Sequence, residues 1–170
     1  MTCGAILVHG YHPFAEDAEI YVPQIRKLLH PALYPFGSQF FESHAHMTLF
    51  PDFVAALVRL THLRLSVVLL LCHFISIFLL LLVCRRIAAK CFSTETARWA
   101  AAGLVAVLLT IPVSGTALYL MDQYFNPRSI STFSILFAVD AALERKFRRC
   151  ILWLLFTALI HPLIIVFGAF

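Results

Sequence analysis

Charge is what this sequence has least of. Aspartate, glutamate, lysine and arginine make up 13% of its 170 residues, about half of the ~25% usual in soluble domains. With 61% hydrophobic residues and a mean hydropathy of +0.88, the composition is that of a membrane protein. Paired cysteine spacing is absent too. Cys3, Cys72, Cys84, Cys91 and Cys150 form no CxxC and no regular pattern, which excludes a disulfide framework and a cysteine metal site. The apolar run Cys3 to Val8 has no basic residues before it and is short, so it is neither a signal peptide nor a complete span. No stretch interleaves aromatic with basic residues. The net charge of +4 is therefore not a nucleic-acid footprint, and no nucleic-acid partner is expected.

What is abundant is uninterrupted apolar sequence. Leu65 to Cys84 reads LSVVLLLCHFISIFLLLLVC, and Arg85-Arg86 follow at once. About 20 apolar residues is the length that crosses a ~30 Å hydrocarbon core as a helix. Further apolar segments lie at 99–120, 130–144 (short for a span) and 150–168. Trp99 and Tyr119 would anchor the second segment at its two interfaces. The expected fold is all-α: a polytopic membrane protein with three to four transmembrane helices in residues 65–170. An outer-face region with short amphipathic helices occupies residues 1–64, in which 1–10 reads either as the tail of a truncated first span or as a start outside the bilayer. Arg85, Arg86, Lys90 and Arg98 fill one short connection, and Arg145, Lys146, Arg148 and Arg149 another. Basic loops stay cytoplasmic, so residues 11–64 and 121–129 are expected on the outer side.

Smaller signals set the helix ends. Ser93 or Thr94 can cap the second span, and Asn126-Pro127 is a cap followed by a first-position proline. Glu16 to Leu29 reads as a short helix with Ile25, Leu28 and Leu29 on one side, in which Pro23 must fall in the first turn or kink the helix. Phe53 to Leu63 reads as an interfacial helix capped by Asp52.

Four groups of residues can carry chemistry, and each has an ordinary alternative. Glu16-Asp17, with Glu19 two residues on, can act as a general base or bind a divalent metal; otherwise it is a solvated loop with capping acids. His44 and His46 fall on one side of an extended strand and can share a metal, or are plain loop histidines. At Asn126-Pro127-Arg128 a helix start directs free N–H groups outward beside a fixed positive charge. That arrangement suits a lipid phosphate, or else Arg128 snorkels to ordinary headgroups. His73, Asp140 and His161 lie within apolar segments, where polar side chains are costly and default to function. A His73–His161 contact and a pairing of Asp140 with Arg145 or Lys146 are both open; packed neutral histidines are the alternative.

The stretch GYHPFAEDAEIYVPQIRKLLHPALYP resembles the first outer loop of bacterial polytopic proteins related to GT-C-type glycosyltransferases. QYFNPRSISTF, ERKFRR and the HPL of the last segment are similar to bacterial membrane proteins of the same layout. The resemblance implies a polyprenyl-phosphate sugar donor used at the outer face of the bacterial cytoplasmic membrane. It implies Asp17 as base, with Glu16 or Glu19 assisting or binding a divalent metal. It also implies that the chain is a fragment of a larger protein. Other readings are a transporter or structural subunit without enzymatic activity, and an inactive truncated remnant.

Overall fold

The computed structural model describes residues 1–37, 39–40, 48–112 and 119–164. His44, His46 and Glu42 lie outside the described residues. Among the described residues all regular structure is helical: α1 (Thr2–His9), α2 (Ala18–Leu29), α3 (Phe50–Thr61), α4 (Leu65–Cys91), α5 (Glu95–Leu108), α6 (Pro127–Leu143) and α7 (Phe147–Ile160).

Helix α4 has 27 residues, about 40 Å at helical rise. Among the described residues it is the helix long and apolar enough to cross a membrane. It does not stop at Cys84 as the apolar run does. Ala88 and Ala89 extend it, and Arg86 and Lys90 find acidic partners on α6. One face of α4 is buried along Leu69, His73, Ile77 and Leu80, while Leu71, Phe74, Ile75 and Phe78 are exposed.

Helix α6 is the axis of the assembly. Pro127, Ile130, Phe133, Ala138 and Ala141 are buried, and α4 and α7 pack on it. Small hydroxyls allow the close approach of α7: Ser134 Oγ and Thr157 Oγ1 share a hydrogen bond of 2.7 Å. Its start is fixed by a capping box. The Asn126 side chain accepts from Ser129 N at 2.9 Å, and Ser129 Oγ accepts from Asn126 N. Thr94 caps α5 in the expected way, accepting from Ala97 N at 3.3 Å.

Three expected boundaries are corrected. The second apolar segment is not one helix over 99–120: α5 ends at Leu108, and Ile111 N donates to Leu108 O in a turn. Pro112 has no N–H and its ring crowds the preceding turn, so the helix cannot run on. Trp99 and Tyr119 are thus not the two ends of one helix. The last segment forms α7 over Phe147–Ile160, and His161 ends it before Pro162. Asp52 does not cap α3; the helix starts earlier, with Leu49 at the cap and Pro51 in the first turn.

At one end of the bundle α2 and α3 lie against each other. Phe50 seals this joint. It is fully buried, edge-on to Tyr21 at 5.4 Å and 5.1 Å from Phe125. Ile25 and Val54 fill the space beside it. Leu49 N donates to Leu159 O at 3.1 Å, which ties the start of α3 to the end of α7.

Candidate functional site

The Glu16-Asp17 pair is built into a joint between the start of the chain and the loop before α6. Gly10 ends α1 at φ +82°, a left-handed turn that favours glycine. The chain then runs beside residues 121–126. His12 N donates to Gln123 O at 2.7 Å, and Gln123 Nε2 donates to His9 O. The His9 ring reaches α5 and the turn after it. Its Nε2 meets Ala106 O at 2.8 Å and its Nδ1 meets Thr110 Oγ1 at 2.7 Å. A carbonyl only accepts, so Nε2 carries the proton.

A tight turn follows and ends in α2. Glu16 sits within it at φ +50°. A non-glycine residue there is strained, and such strain gathers at functional sites. Asp17 takes the cap position of α2, yet its side chain makes no capping bond. Instead Asp17 Oδ2 accepts from Arg128 Nη2 at 3.4 Å. Arg128 Nε lies 3.5 Å from Asp122 Oδ2. Asp122 also accepts from Asn126 Nδ2 at 2.6 Å. Tyr124 completes the group, its hydroxyl donating to Glu16 Oε2 at 3.5 Å.

A cavity of about 120 Å³ opens beside this group, lined by Glu16, Thr110, Tyr119, Asp122, Gln123 and Tyr124 among others. Glu16 and Asp122 line the cavity; Asp17 and Arg128 do not, and reach it only through Asp122, which Arg128 approaches. Glu19 is exposed in the first turn of α2 and does not line the cavity.

Charge in the group is finely placed. Burial raises the Asp122 carboxyl above its usual value, against the pull of the Asn126 bond and the Arg128 charge; Asp17 and Glu16 raise it further. The Tyr124 phenol is raised by burial, and the negative charges of Asp122 and Asp17 add to that. Asp17 is 53% exposed at its side chain and Arg128 25%, so their long ion pair is screened and weak. Such a pair exchanges readily for a stronger anion.

Asp122 is the member of this group that the sequence did not single out. The signal available was its place four residues before the Asn126 cap, inside a polar loop that follows an apolar segment. A divalent metal does not fit these residues. The Arg128 guanidinium already stands against both Asp17 and Asp122, and among the described residues no three His, Cys, Asp or Glu side chains are grouped to hold an ion.

The His73, Asp140 and His161 group does not assemble. Asp140 is buried and pairs with neither Arg145 nor Lys146. Arg86 Nη2 approaches it at 2.7 Å, and Lys90 pairs with its other oxygen. The reason is register: α4 and α6 run parallel, so their basic and acidic last turns meet. His73 packs on the Tyr11 ring, centroids 5.0 Å apart. The Nδ1 atoms of His73 and His161 bond neither each other nor any other described residue. No family model, curated protein or solved structure matches this chain.

Proposed function

We propose that this chain is a membrane-embedded helical unit that transfers a sugar from a polyprenyl-phosphate donor, in the manner of GT-C-type glycosyltransferases. The observation that carries the reading is the meeting of Asp17 and Arg128, at 3.4 Å from opposite parts of the chain, beside a cavity that Glu16 faces. A phosphate takes Arg128 and releases Asp17. The freed carboxylate accepts the proton of an acceptor hydroxyl as its oxygen attacks the anomeric carbon. The bond from that carbon to phosphate breaks, and polyprenyl phosphate leaves. Glu16, held by Tyr124, orients the acceptor.

The finer membrane arrangement belongs to the same proposal: α5, α6 and α7 cross the bilayer beside α4. Exposed apolar side chains support it, such as Leu104 and Val107 on α5 and Leu152 and Leu155 on α7. So does the pairing of Arg86 with Glu144 at 3.3 Å, which brings both basic connections to one end of the bundle. By the charge rule that end is cytoplasmic and the cavity is outside. A transporter reading has less support, because Arg86 and Lys90 close Asp140 off.

The test is release of polyprenyl phosphate by protein in lipid vesicles given a polyprenyl-phosphate sugar and a soluble acceptor. Asp17→Asn is expected to lower the rate by about a hundredfold or more while the protein melts unchanged. An unchanged rate in both Asp17→Asn and Glu16→Gln removes the catalytic assignment.

A further inference from the structure

A second concavity lies away from the Glu16 cavity, where the C-terminal halves of α2 and α3 and the first turn of α4 come together. It is an open groove of about 620 Å³. Its walls include Leu29, Leu33, Val58 and Leu63, with Phe14 at one side. Phe14, Leu33 and Leu63 are each more than 40% exposed. Arg26, His30 and Arg64 line the same groove, and among the described residues no acidic one does. The Arg26 guanidinium lies over the Phe14 ring at 5.6 Å. A ring face leaves the in-plane N–H donors of arginine free. Among the described residues neither arginine makes an ion pair.

Two unpaired cations over an apolar floor call for an anionic amphiphile. The place of the groove selects its source. Arg64, Leu65 and Ser66 are its edge, and Leu65 begins the helix long enough to cross a bilayer. The groove thus lies at the level where that helix enters the membrane, among lipid headgroups. A soluble anion would meet the cations but leave the apolar floor wet. We infer that the groove holds an anionic phospholipid of the surrounding bilayer. Its phosphate lies between Arg26 and Arg64, and its chains lie over Leu33 and Leu63. The inference needs α4 in the membrane and does not depend on any transfer chemistry.

The experiment is native mass spectrometry of the full chain released from nanodiscs of mixed phosphatidylcholine and phosphatidylglycerol. The protein is expected to retain phosphatidylglycerol in preference. Arg26→Gln with Arg64→Gln is expected to lower that retention about tenfold, and Arg26→Lys with Arg64→Lys to keep most of it. Arg148→Gln with Arg149→Gln, at the other end of the bundle, is expected to change nothing. Equal retention of both lipids by the unaltered protein overturns the inference. So does equal loss in the Arg148/Arg149 variant, which means diffuse charge attraction. Release of the lipid by inorganic phosphate also overturns it, since the site then takes free phosphate.

Discussion

The two ends of the bundle handle buried acid in opposite ways. At one end Asp140 is 3% exposed at its side chain and meets two cations, Arg86 and Lys90; Glu144 meets Arg86, Lys90 and Lys146. Each acid has more than one partner and at least one short contact, Arg86 on Asp140 at 2.7 Å and Lys146 on Glu144 at 2.6 Å. At the other end Asp122 is equally buried, but Arg128 reaches it only at 3.5 Å while also serving Asp17 at 3.4 Å. One cation is shared between two acids, and Glu16 beside them sits on a strained backbone. Redundant pairing makes a clamp. Sparse pairing leaves a group ready to change partners.

Breaking the clamp gives the largest effect. Asp140→Ala leaves two cations without their buried partner and is expected to lower stability by about 2 kcal/mol, measured by thermal unfolding in detergent. An unchanged melting temperature would mean that the pairs are relaxed in the membrane and that the two ends do not differ. Acid comes next, because it moves the ends in opposite directions. Hydrogen bonds from Lys146 and Lys90 hold the Glu144 carboxyl down at about 2. Its stabilising share is present above the unfolded value of 4.5 and is lost as pH falls toward 2. Asp122 is raised above 3.8, so its share is complete below 3.8 and is lost as pH rises through its folded value. Hydrogen exchange across an acid titration should therefore find the last turn of α6 loosening while the 121–126 loop tightens. Asp122→Asn should abolish the second response only. The smallest effect belongs to Arg128→Gln. Its ion pairs are long and one partner is exposed, so a stability loss under about 1 kcal/mol is expected. A larger loss would make Arg128 a strut and not an exchangeable cation.

Some signals carried by neighbouring residues were legible in the sequence, although the expected Asp52 cap is not formed, and those carried by distant ones were not legible. The Thr94 and Asn126-Pro127 helix starts and the apolar core of α4 depend on residues within a turn of each other, and the structure has them where the sequence places them. Asp140 is different: its partners are 50 and 54 residues away, and only the register of two parallel helices brings them together. Apolar content alone also hid the end of α5, since Leu109 and Ile111 are hydrophobic but Pro112 stops the helix at Leu108. The Glu16-Asp17 pair was visible as an acidic doublet. Its left-handed turn, the Tyr124 bond and the share of Asp122 were not, because no glycine marks the turn and no repeat marks the loop.

Arg128 and Asp140 stand on the same helix, twelve positions apart along α6, about 18 Å at helical rise. A helix does not shorten, so α6 is a fixed ruler between the two ends. The backbone that carries Arg128 can slide along that axis only as far as the grip of Arg86 and Lys90 on Asp140 gives way, which leaves its side-chain torsions to make any exchange of partners. The tight end thereby sets the travel of the loose one.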